Sequence, residues 1–146
     1  MAAALAACGG FLLGVLWMDL LFDVQVLGAD PRGAIASIVA YYRRVTTQAY
    51  PMNRLIAVVM LITLAVVIYG MVGGRIDWRI GLPALALAGV PIVLALRRVV
   101  PNAVRLGSGT DTPEVQLALA RSICFDHLLC LGLMAAFVAL IAGATS

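Results

Sequence analysis

The chain has 146 residues, of which 64% are hydrophobic, and a mean hydropathy of +1.08. That exceeds the roughly half-apolar composition of a water-soluble domain, and no polar or low-complexity block is long enough to form a second one, so one integral membrane domain over residues 1–146 is expected. The net charge of +3 sits on arginines in short connections, without a basic run interleaved with aromatics, and nucleic acid is excluded as a partner.

The first apolar span runs from about Ala2 to Val26, long enough to cross a bilayer, which takes about 20 residues. Met1 to Ala7 carry no positive charge, unlike the start of a signal peptide, so this span is expected to stay in the membrane. Cys8, Leu12, Leu16, Asp19 and Asp23 fall on one helical face. Ala6, Gly10 and Gly14 form another, a small-residue face suited to close helix approach. The first helix is therefore expected to carry protein on two sides.

Asp30-Pro31 reads as a helix N-cap followed by proline at the first helical position. Ile35, Ile38, Val39, Tyr42 and Val45 then recur at helical spacing, which predicts an amphipathic interfacial helix over about 31–49. Tyr50-Pro51 ends it, since the residue before proline is pushed out of the helical region. The second span covers about 52–72 and the third about 80–96, with Gly89 and Pro91 predicting a kink. A connection over about 97–112 follows. Thr112-Pro113-Glu114 opens a last helix whose membrane part covers about 123–142 and whose first two turns should project from the bilayer. The predicted class is an all-α membrane protein, a four-helix transmembrane bundle with one interfacial helix.

Orientation follows from the arginines. Arg32, Arg43, Arg44, Arg54, Arg97, Arg98, Arg105 and Arg121 belong to the first and third connections and their flanks, whereas only Arg75 and Arg79 belong to the second. The positive-inside rule then places the first and third connections in the cytoplasm and both termini outside, in a bacterial inner membrane.

With this orientation Asp19, Asp23, Asn53, Arg54, Arg121, Asp126 and His127 gather at the cytoplasmic end. A charge at membrane depth is expensive unless paired or wetted, so this layer is the candidate site. His127 and the acids are candidates for a general acid/base pair. The same acids could supply oxygen ligands to a divalent metal, but the Glu-x-x-His pairs of di-iron bundles are absent and no metal is favoured. His127 is the only histidine, which excludes bis-histidine haem and leaves a single axial ligand to a haem or pigment open. Alternatively the acids pair with Arg54, Arg97 and Arg121 and the layer is structural. Cys8, Cys124 and Cys130 read as small buried hydrophobes.

The glycine-spaced first span, the amphipathic stretch, Val100-Pro101-Asn102 with Arg105-Leu106, and Arg121 before His127-Leu128 resemble small four-span membrane proteins of the anthrone-oxygenase-like family. The resemblance implies oxidation of a lipophilic aromatic without a cofactor. His127, Asp126 or Asp19 would act as the base, and Arg121 or Arg54 would stabilise the enolate. Asp23, Asn53, Arg54 and Asn102 are the expected substrate contacts. Two other readings stand beside this one. The first is an accessory subunit whose partners are membrane lipids, other membrane subunits or further copies of the chain. Its motif is the Ala135, Ala139, Gly143 stripe. The second is a small transporter using Asp19 and Asp23, which four spans without an inverted repeat do not favour.

Overall fold

The computed structural model describes residues 1–144 and is all helical, with no strand among them. Helix α1 covers Ala2–Asp23 and tightens into a 3₁₀ turn over Val24–Leu27. Helix α2 covers Pro31–Thr47, its N-terminus capped as expected: Asp30 accepts a hydrogen bond from the Gly33 N–H at 2.9 Å. Helix α3 covers Met52–Val72, and α4 covers Trp78–Leu94 with Asp77 capping its start. The rod then continues through a π-helical segment, Ala95–Val99, into α5, Val100–Ser108, and α6 runs from Pro113 to Gly143.

Four helical stretches, Ala2–Leu27, Met52–Val72, Trp78–Ser108 and Pro113–Gly143, are long and apolar enough to cross a membrane. The molecule is thus an all-α membrane protein, and its spans match the expected ones with one correction. The stretch expected as a loop from Arg97 stays helical to Ser108. Its arginines are good helix formers, and the chain leaves the helix only at Gly109, whose φ of +67° is the left-handed cap that glycine adopts without strain. Pro91 lies inside α4. The irregular turn comes later, directly before Pro101, which lacks the N–H that the Arg97 carbonyl would otherwise take.

The bundle closes as a ring: α1 packs on α6, α6 on α4, α4 on α3 and α3 on α1. Its core is Leu5, Leu12, Val67, Ala84, Ala88, Met134, Phe137 and Ile141. In lipid these contacts hold by fit rather than by the hydrophobic effect. The fit is close at Gly9, where a Cβ would stand 2.6 Å from Val138 Cγ2. The outward faces carry Leu61, Ile62, Val72 and Val93, all exposed as lipid contacts should be.

A second core lies at the arginine-rich end. There α2 lays Ile35, Ile38 and Tyr42 against Val99, Ala103 and Leu106 of the α4–α5 rod and Ala120, Ile123 and Cys124 of α6. The apolar face of α2 is thus covered by protein. Its backbone reaches the rod at Gly107, where a Cβ would meet the Arg43 nitrogen and Tyr42 carbonyl carbon at 2.8 Å.

The expected packing role of the Ala6–Gly10–Gly14 face is not seen. Gly10 and Gly14 are exposed, and a Cβ on either would meet nothing within 4 Å. Periodicity identified the stripe correctly, but among the described residues Gly10 and Gly14 meet no neighbour. Ala135, Ala139 and Gly143 are likewise exposed.

Candidate functional site

The α1–α2 turn folds α2 back over the end of the bundle, which brings residues far apart in sequence into one cluster. His127, from the middle of α6, directs Nδ1 at Asp23 Oδ2, 2.6 Å away. The other Asp23 oxygen accepts from the Tyr42 hydroxyl at 2.6 Å. Asp19, one turn back on α1, accepts a short hydrogen bond from the Tyr41 hydroxyl. Its second oxygen stands 3.9 Å from His127 Nε2, too far for a hydrogen bond.

Burial grades this cluster. The Asp23 side chain is fully buried, His127 is 7% exposed and Asp19 is 21% exposed. Asp23 is thus saturated in the interior, while Asp19 is the most exposed member of the cluster. An ionised carboxylate only accepts hydrogen bonds, so beside an ionised Asp23 it is Nδ1 that carries the hydrogen, and in the neutral form of such a ring Nε2 is the acceptor. Phe22 stacks on Tyr41, with ring centroids 4.1 Å apart and planes within 9°, and this packing fixes the Tyr41 hydroxyl over Asp19. Burial, reinforced by the neighbouring carboxylates, pushes both tyrosine hydroxyls well above their ordinary range. They remain donors at any physiological pH.

No arginine lies within ion-pair distance of Asp19 or Asp23 among the described residues. The expected pairing of the acids with Arg54, Arg97 and Arg121 is therefore corrected. All three arginines are exposed, because their positions turn them outward. Arg54 instead lies over the Tyr50 ring at 4.8 Å.

Asp126 does not join the cluster. Adjacent positions on a helix point about 100° apart, and Asp126 turns toward the α4–α5 rod. There its Oδ2 lies 3.3 Å from Arg98 Nε in the π-helical segment. This is an ion-pair contact without hydrogen-bond alignment, and Oδ2 is buried without a hydrogen-bond partner. Asn53 is exposed at the start of α3, its side chain accepting from the Arg54 N–H, and Asn102 is half-buried on α5. Of the eight expected site residues the structure gathers Asp19, Asp23 and His127, and it leaves Asp126, Arg121, Asn53, Arg54 and Asn102 elsewhere.

Tyr41 and Tyr42 were missed as site residues. Tyr42 counted only as part of the apolar face of α2, and the sole available signal was that two adjacent tyrosines place two hydroxyls on one helix.

No group of three His, Cys, Asp or Glu among the described residues is arranged to hold a metal ion. A haem or pigment on His127 would need Nε2 to face an open plane. Asp19 stands on that side, and the residues present do not fit such a group. The cysteines are free thiols, Cys124 and Cys130 buried and Cys8 half-buried.

The class these features define is a four-span helical membrane protein with a buried Asp–His–Asp cluster under an amphipathic helix. Comparisons with family models, curated proteins and solved structures return no match.

Proposed function

We propose that the Asp19–His127–Asp23 cluster is a proton-exchange site of a small membrane carrier, at the cytoplasmic end of the bundle in a bacterial inner membrane. One observation carries this reading: two carboxylates and an imidazole are packed at the end of the spans, and among the described residues no arginine pairs with Asp19 or Asp23. Holding two buried anions so close is costly, and an opposite charge relieves the cost. The cluster therefore favours taking up a positive charge, and a proton is the smallest. Asp23, held by Tyr42, orients the ring, while Nε2 and Asp19 exchange with the exterior. The eight-to-two division of arginines supports the cytoplasmic assignment of this end, with both termini outside.

The test is proton flux in proteoliposomes carrying a pH-sensitive dye and an imposed membrane potential. Wild-type protein accelerates internal pH change over empty vesicles, while Asp19→Asn and His127→Gln return it to the empty-vesicle rate. Equal rates for wild type and both variants would sink the reading.

Base catalysis is the second reading, favoured by the Nδ1–Asp23 hydrogen bond that leaves Nε2 as the free base. It accommodates the oxygenase-like chemistry of the family resembled, with Nε2 taking a proton from an activated carbon. The electrostatics work against it. A carbanion or enolate would form beside two carboxylates, and the arginines expected to stabilise it, Arg121 and Arg54, face outward.

A further inference from the structure

Away from the cluster, α2 borders a groove of about 350 Å³ at the arginine-rich end of the bundle. Arg32, Ile35, Ala36, Val39 and Arg43 line it, and their spacing puts them on one helical stripe. The facing wall includes Gly109 and Gln116, where the α4–α5 rod turns into α6. The α2 wall is thus apolar between two arginines, one at each end of the stripe.

Among the described residues no carboxylate neutralises either arginine. The Arg32 side chain makes neither an ion pair nor a hydrogen bond there. Arg43 donates from Nε to the Gly107 carbonyl at 3.2 Å, which leaves the N–H groups of its two terminal nitrogens to give. Its Nη2 lies against Gly109, where a Cβ would come within 2.9 Å of it, so the glycine leaves room for the guanidinium at the groove wall. No carboxylate lines the groove. Of the acids near it in sequence, Asp30 caps α2, and Asp111 accepts two hydrogen bonds from Arg105 at 2.8 and 2.9 Å. Glu114 is exposed in the first turn of α6.

The setting selects a lipid over a free anion. At 1.5 Å rise per residue, Gln116 stands roughly 10 Å along α6 from Ile123, where the membrane part of that helix is expected to begin. That is the outer edge of the headgroup layer. Between the arginines, Ile35 and Val39 offer apolar surface to a glycerol backbone. We propose that this groove binds the headgroup of an anionic phospholipid, with Arg32 and Arg43 donating to its phosphate. A zwitterionic lipid carries its own ammonium beside the phosphate and is held less well. The proposal goes beyond the proton-exchange reading and does not depend on it.

The experiment is native mass spectrometry of the full chain, released from detergent containing equal amounts of dioleoyl-phosphatidylglycerol and dioleoyl-phosphatidylcholine. The phosphatidylglycerol adduct should dominate. Arg32→Gln and Arg43→Gln should each weaken that preference by roughly fivefold, the factor for one arginine at an anionic surface. Arg44→Gln removes an exposed α2 arginine that does not line the groove, and should leave the preference in place. Ala36→Trp changes no charge but fills the groove, and should lower the adduct. Inorganic phosphate in excess should not displace the lipid. Equal adducts of the two lipids, a preference that survives Arg32→Gln or Ala36→Trp, or an equal loss in Arg44→Gln would overturn the proposal. Displacement of the lipid by inorganic phosphate would make the occupant a free anion and overturn it as well. If Arg43→Gln fails to fold for want of its bond to Gly107, Arg32→Gln, which loses no ion pair or hydrogen bond, decides the matter with Ala36→Trp.

Discussion

His127 Nδ1 and Asp23 Oδ2 stand 2.6 Å apart although 104 residues separate them in sequence, and this contact ties the end of α1 to the middle of α6 inside the bundle. It also sets the ring's tautomer, because a buried carboxylate accepts only from a nitrogen that carries a hydrogen. The position of Asp23 is in turn set by Tyr42, which reaches it from the helix folded over the bundle end.

Removing the Tyr42 hydroxyl should therefore be felt more than removing that of Tyr41. Tyr42→Phe deprives a fully buried carboxylate of a donor, and hydrogen bonds to charged groups contribute about 1.5–3 kcal/mol. Asp19 keeps 21% exposure, so water can replace the Tyr41 hydroxyl. Thermal unfolding in detergent should show a clearly lower midpoint for Tyr42→Phe than for Tyr41→Phe. The reverse order would mean that burial does not grade the two arms.

Arg98 and Asp126 should respond asymmetrically. The Arg98 side chain is 57% exposed and that of Asp126 only 8%. Arg98→Gln strands a buried carboxylate and should destabilise by about 1–3 kcal/mol. Asp126→Asn removes that charge and leaves an arginine free to be hydrated, so it should be near neutral. Denaturant midpoints of the two variants decide it, and equal losses would count against a buried, poorly satisfied Asp126.

Glycine substitutions separate packing from mere periodicity. Gly107→Ala places a methyl 2.8 Å from the α2 backbone, which cannot yield as a side chain can, and should lower the unfolding midpoint markedly by pushing α2 off the rod. Gly10→Ala meets nothing within 4 Å and replaces a poor helix former, so it should be neutral or slightly stabilising. If Gly10→Ala instead lowers the midpoint, that face has a neighbour beyond this chain.

Alkaline pH should loosen α2. The folded state raises both tyrosines above their ordinary value of 10.0, burial being the largest cause. A group raised on folding stabilises fully below its unfolded value and loses that contribution as pH rises beyond it. Unfolding midpoints should hold steady up to about pH 10 and fall above it, with the fall reduced in Tyr41→Phe/Tyr42→Phe. Tyrosinate absorbance should lag behind that of a denatured sample. Tyrosinate appearing at the ordinary pH would contradict the buried hydroxyls.

Much of the fold was legible because lipid imposes length and apolarity on each span, and Asp30-Pro31 and Thr112-Pro113 mark helix starts by chemistry that is local. The α4–α5 rod was misread past Arg97 because charged residues that end a hydrophobic run need not end a helix. For the site, the face shared by Asp19 and Asp23 followed from periodicity alone. Their partners did not: Tyr41 and Tyr42 meet the acids only because α2 folds back, which no local signal encodes. Asp126 was grouped with its neighbour His127 by sequence adjacency, although adjacency on a helix separates directions.

The central claim is that the Asp19–His127–Asp23 cluster gains and loses a proton. Infrared difference spectroscopy of the protein in lipid films, swept from acid to neutral pH, observes the protonated carboxyl stretch directly. The account predicts a carboxyl band that titrates together with imidazole bands, is removed in Asp19→Asn, and shifts its midpoint in His127→Gln. A spectrum with no titrating carboxyl band, or one unchanged by Asp19→Asn and His127→Gln, would contradict it.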